Sequence, residues 1–79
     1  MKTPRNISAK DLIKKLEHLN YQITRQVGSH IRLTTTLNGT HHITIPNHSP
    51  IKIGTLSSII NDIATHNKIS KQELIEIIF

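Results

Sequence analysis

The 79-residue chain contains no cysteine and no tryptophan. Without Cys, neither a disulfide nor a thiolate–metal staple can reinforce a core this small. Aromatics are limited to Tyr21 and Phe79. Modules that bind single-stranded RNA by stacking bases need several aromatic platforms, so that mode is excluded. There is no long apolar run to span a membrane, and Met1 to Lys10 lacks the apolar segment of a signal peptide. These absences predict a soluble, cytoplasmic protein with no membrane role. Acidic residues are also scarce: five against ten Lys and Arg, a formal net charge of +5 with six His neutral. With a pI near 10.0, that balance points either to a polyanionic partner or simply to solubility.

What the chain does have is branched aliphatic volume. Fifteen Ile and seven Leu dominate an apolar fraction of 35%, enough for one core and too much for wholesale disorder. Length allows one small domain over residues 1–79. Gly28, Gly39 and Gly54, with Pro4, Pro46 and Pro50, fall between periodic segments. No internal repeat, linker or low-complexity stretch interrupts them.

Ser8 and Asp11 resemble a capping box, flanked by a hydrophobic staple of Ile7 and Leu12. Ala9, Leu12, Ile13, Leu16 and Leu19 then recur at helical spacing, and Asn20 is a helix stop. From Tyr21 the period changes to two. Tyr21, Ile23 and Val27 alternate with polar residues, but Arg25 falls on the apolar phase, which requires a bulge or a functional demand. Two further strands follow, one from His30 with Ile31 and Leu33 inward, one over Thr40 to Pro46 with Ile43 and Ile45 inward. A two-residue Asn38-Gly39 turn would oppose apolar to polar residues. A three-residue loop of Leu37, Asn38 and Gly39 instead pairs Leu33 with Ile43 and Ile31 with Ile45, as a type I turn with Gly39 left-handed. The polar face then carries Gln26, His30, Arg32, Thr34, His42 and Thr44. A loop over Pro46 to Ile53 leads to a helix capped by Thr55, with Leu56, Ile59, Ile60, Ile63 and Ala64 inward and Asn67 as its stop. Ser70 with Glu73 is a full capping box for a short last helix carrying Leu74, Ile77 and Ile78. The fold class expected is α+β: helix, three-stranded antiparallel sheet, helix, and a short C-terminal helix. With all helices on one side, the polar sheet face stays open to a ligand.

His30 is the most informative residue on that face. It follows Gly28-Ser29 at a strand entrance, and a histidine exchanges protons near neutrality. Gly28 and Ser29 offer backbone N–H groups for a small anion nest, and Arg25 and Arg32 lie nearby in sequence. A general acid/base beside phosphate-binding groups suits phosphodiester cleavage; the alternative is one surface histidine among six. Lys52, near the start of the second long helix, is either a phosphate contact or an ordinary solvated lysine. Neighbouring residues on an extended strand diverge, so Ser29–His30 is no nucleophilic pair and His41–His42 no metal chelate. His42 lies four strand residues along from His30, roughly 13 Å, too far to share one phosphate. His48 reads as a loop histidine, and Asn61 and Asp62 as a polar helix face. No metal-ligand set is apparent, and no cofactor is called for.

The run Arg25-Gln26-Val27-Gly28-Ser29-His30 resembles the signature of the HicA (YcfA-like) toxin family. So do Leu19-Asn20-Tyr21, Ile45-Pro46-Asn47-His48, Gly54-Thr55-Leu56 and the Ile59-Ile60 pair. The resemblance extends over roughly residues 7 to 78. It implies a fold similar to double-stranded-RNA-binding domains and a toxin of a type II toxin–antitoxin system. It further implies an mRNA interferase, a ribosome-independent endoribonuclease, with His30 as its active-site histidine; the reading favoured from the residues is a metal-independent one. It also implies an inhibitory antitoxin of the HicB type; the expected states are a monomer when free and a hetero-oligomer with the antitoxin. Two positions depart from the pattern: Ile31 stands where many members carry a second His or a bulky residue, and Ser57 where many carry a basic residue. The expected RNA-binding residues are Arg25, Gly28, Ser29, Arg32 and Lys52. The rival readings are a non-catalytic RNA-binding module and a regulatory protein that works only through its partner.

Overall fold

The structure is a computed structural model and describes residues 6–79. Pro4 and the first half of the Met1–Lys10 segment lie outside the described residues. The elements are α1 (Ala9–Leu16), a single 3₁₀ turn (Glu17–Leu19), β1 (Gln22–Val27), β2 (His30–Thr35), β3 (His41–Pro46), α2 (Ile53–His66) and α3 (Lys71–Ile78). The expected order of helix, three antiparallel strands, helix and short last helix is what forms.

Local chemistry accounts for most element ends. The Ser8 hydroxyl accepts from the Asp11 N–H at 3.1 Å and opens α1. Asn20 adopts a left-handed φ of 63° and closes the 3₁₀ turn, as a short polar side chain permits. At α3 the capping box is complete, with Glu73 N–H donating to Ser70 Oγ and Ser70 N–H donating to Glu73 Oε1. α2 begins earlier than a Thr55 cap would place it. Lys52 is its N-cap and Thr55 sits in the first turn, because Leu56 N–H already bonds to Lys52 O.

The sheet has the order β1-β2-β3. Leu33 pairs with Ile43 and Ile31 with Ile45, the register expected from face matching. The loop that sets it is a turn closed by Gly39 N–H to Thr36 O, with positive φ at both Asn38 (59°) and Gly39 (97°). A left-handed Asn38 in the third position makes this a type II turn, not the type I turn expected.

One side of the sheet is covered. Ile31, Leu33, Ile43 and Ile45 are buried against Leu12 and Leu16 of α1, Leu56, Ile60 and Ile63 of α2, and Leu74, Ile75 and Ile78 of α3. On α3, Ile75 takes the inward place expected of Ile77, which is 49% exposed. The cover does not reach β1. Alternation predicts that Tyr21, Ile23 and Val27 share the inward face. Tyr21, just before the strand, is fully buried, yet Ile23 and Val27 are 53% and 57% exposed. β1 is an edge strand whose residues are exposed throughout.

Candidate active site

The site begins at a two-residue hairpin. Val27 pairs with His30, so Gly28 and Ser29 form the whole β1–β2 turn. Gly28 has φ 57° while Ser29 is not left-handed, the pattern of a type II′ turn with glycine first. A Cβ on Gly28 would meet nothing within 4 Å, so the demand for glycine is conformational and not spatial. The turn is pinned from β3: Asn47 N–H donates to Ser29 O at 2.7 Å. His30 is therefore the first residue of β2, opposite Val27 and Pro46, and it is exposed. Its ring bonds to no described residue.

A bulge then arranges the charges. The β1–β2 register shifts between Ile23 and Arg25, leaving Thr24 as the extra residue. Before the shift Ile23 opposes Leu33; after it Arg25 opposes Arg32. The bulge thus moves Arg25 from the helix side to the open face and resolves its position on the apolar phase. The same shift corrects the expected face of Gln26. It opposes Ile31 on the helix side, while Val27 joins His30 on the open side.

Arg25 and Arg32 are directly opposed like charges, an arrangement that destabilises a strand pair. No carboxylate offsets them: residues 22–46 contain no Asp or Glu, and all five acidic residues stand on helical segments. Among the described residues the one contact that could form an ion pair is His41 with Asp62, and only with the imidazole protonated.

The structure thus brings His30, Gly28, Ser29, Arg25 and Arg32 together at one end of one face. Lys52 is not joined to them by any described hydrogen bond or ion pair. It caps α2, exposed, at a helix start that has neither a side-chain cap nor an acidic residue in its first turn. The connection between them is the loop after Asn47, whose His48 is exposed and bonds through its backbone to Pro46 and Ala9. Ser57, one of the two departures, accepts a hydrogen bond from Lys71 Nζ at 2.6 Å. An ammonium therefore stands at that position after all, delivered from α3.

Two side-chain networks escaped sequence reasoning. On the helix side, Asp62 is more than polar surface. Its carboxylate only accepts, so His41 Nε2 donates to it at 3.2 Å, and in the neutral ring Nδ1 accepts from the Tyr21 hydroxyl at 2.6 Å. Burial, with the Asp62 charge adding to it, pushes the Tyr21 hydroxyl up to about 12. His66 stacks on His41 with ring centroids 4.3 Å apart, and its Nε2 donates to the Leu37 and Gly39 carbonyls. On the open face, Thr24, Thr34 and His42 form a row across the three strands, with contacts of 2.9 and 2.8 Å. Neither has a short-range signal, since the partners are eight or more residues apart. As expected, His41 and His42 face opposite sides. Among the described residues, no group of three or more His, Asp or Glu stands ready to hold a metal ion, and no helix is long and apolar enough to cross a membrane.

Fold and face together define a class: a small helix–sheet–helix domain with a basic sheet surface free of carboxylates. A family model for the HicA toxin of bacterial toxin–antitoxin systems matches residues 9–64, and the chain belongs to that family. No curated protein and no solved structure matches the chain.

Proposed function

We propose that this HicA-family toxin is an mRNA interferase that cleaves RNA without a metal ion, using His30 as general acid/base. The observation that carries the reading is the exposed His30 at the head of β2, on the same carboxylate-free face as the opposed Arg25–Arg32 pair. The two opposed arginines, bonded to no carboxylate among the described residues, gain a shared counter-charge when a phosphate binds. His30 takes the proton of the attacking oxygen, the 2′-OH or a water, while the guanidiniums neutralise charge building on the phosphate. The leaving 5′-oxygen takes a proton from solvent water as the P–O5′ bond breaks. Gly28 and Ser29 hold the turn that aims His30, and Lys52 adds positive charge from α2. Residues 1–79 work as one domain in the cytoplasm, monomeric when free and silenced in a hetero-oligomer by an antitoxin of the HicB type.

The test is incubation of the purified chain with RNA in the presence of a chelator. Cleavage by the wild type and none by His30→Ala is the expected result. RNA binding without cleavage would make the chain a non-catalytic module. No RNA affinity at low salt would leave only the partner-dependent reading. Growth arrest by this chain alone, rescued by a small neighbouring gene, tests the antitoxin.

A further inference from the structure

The row Thr24–Thr34–His42 lies on the same open face as His30, Arg25 and Arg32. Its chemistry is constrained by where it ends. Thr24 Oγ1 donates to Arg32 O in a long 3.5 Å contact, and a carbonyl can only accept. Each hydroxyl has a single proton. The two short contacts can run in either direction; the long contact to Arg32 O selects the one in which His42 Nδ1–H donates to Thr34, Thr34 donates to Thr24, and Thr24 donates to Arg32 O. In the neutral ring, this places the proton on Nδ1 and leaves the Nε2 lone pair as an acceptor committed to no described residue.

A phosphate diester has no proton to give such an acceptor. A ribose 2′-OH and the base N–H groups do, and of these the 2′-OH is the one that distinguishes RNA from DNA. We propose that His42, held by the Thr34–Thr24 row, reads a ribose 2′-OH of the bound strand and gives this face its preference for RNA over DNA. The inference rests on the RNA-acting reading above. His42 opposes Thr34, four residues along β2 from His30, a separation of roughly 14 Å from strand rise and spacing. The nucleotide read is therefore not the one cleaved, and the arginine pair lies between the two. His42 contacts no reacting atom and is a specificity residue; Thr34 is a positioning residue acting through it.

The experiment measures direct binding of one oligonucleotide sequence, as RNA and as DNA, to His30→Ala, so that cleavage does not intervene. One hydrogen bond of ordinary net strength corresponds to a preference of roughly three- to tenfold for RNA. His30→Ala/His42→Ala should lose that preference by binding RNA more weakly with DNA affinity nearly unchanged. His30→Ala/Thr34→Val, close in shape, should lose most of it, and His30→Ala/Thr34→Ser, which keeps the hydroxyl, should retain it. Melting curves confirm that each variant is folded. An RNA preference that survives His42→Ala overturns the assignment, as does an equal loss of RNA and DNA affinity, which would make His42 a contact to phosphate or base. If His30→Ala itself binds no RNA at low salt, the RNA-acting reading fails, and this inference with it.

Discussion

Among single residues, His30 and Arg25 carry opposite predictions for the fold. His30 is exposed and contributes little to the core, and exposed substitutions usually change stability by under about 0.5 kcal/mol. His30→Ala should therefore keep its melting temperature while cleavage falls by about 10²–10⁴-fold, the usual contribution of a positioned acid or base. Retained cleavage would remove His30 from the active site; unfolding would make it structural. Arg25 predicts the opposite sign for the fold. Relieving the Arg25–Arg32 repulsion should make Arg25→Gln more stable by on the order of 0.2–1 kcal/mol in urea titrations, while RNA binding weakens. A variant less stable than the wild type would show that the guanidiniums are not in conflict.

Among the elements, two contacts that hold the β2–β3 hairpin to the helix layer can be tested separately. Gly39 has φ 97°, so a β-branched side chain there is strained whatever the space, and the nearest group a Cβ would meet is the His66 ring at 3.8 Å. Gly39→Val should cost about 1–3 kcal/mol; unchanged urea midpoints would mean that the loop relaxes to another turn. Tyr21 joins β1, β3 and α2 through His41 and Asp62. Its hydroxyl holds its proton up to about 12 in the folded chain against 10.0 otherwise. A raised value means that the folded state binds the proton more tightly. That stability is complete below pH 10 and is lost as pH rises from 10 through about 12. The loss should be on the order of 1–2 kcal/mol and should be missing from Tyr21→Phe, whose urea midpoints over that range isolate it from lysine titration. Parallel curves for the two proteins would place the hydroxyl in a solvated setting.

The whole molecule divides its charge: all five acids on helical segments, none between residues 22 and 46. Binding of RNA to this face is expected to release counterions. Three phosphate contacts, by Arg25, Arg32 and Lys52, give a log–log slope near −2 for a single strand, or roughly 10–20-fold weaker binding between 50 and 200 mM salt. Lys52→Glu should reduce that slope by about 0.7 without moving the cleavage site. It should not destabilise the fold, because an acid at the α2 N-terminus interacts favourably with the helix dipole. A shifted cleavage site would show that Lys52 reads bases, and an unchanged slope that it touches no phosphate.

Features that depend on neighbours along the chain were legible before any packing was known. The capping of α1 and α3 by Ser8 and Ser70, the Asn20 stop, the strand alternation and the Gly-Ser turn ahead of His30 all follow from local stereochemistry. Even the β2–β3 register was legible, because a one-residue slip would oppose apolar to polar side chains. The resemblance carried by the Gly-Ser-His run supplied the family. Other features depend on how far the helix cover extends and where a ladder slips, and these only the folded chain fixes. Periodicity marks Ile23 and Val27 as inward, but the helix layer stops short of Ile23 on the edge strand, and the bulge turns Val27 to the open face. It also gave no way to choose between a bulge and a functional demand at Arg25. The extra residue at Thr24 chose, and in doing so set the two arginines face to face beside His30. The Tyr21–His41–Asp62 tie and the Thr24–Thr34–His42 row exist only once the elements are assembled. Each joins side chains from separate elements, and a hydrogen bond is sensitive to the few tenths of an ångström that only packing fixes.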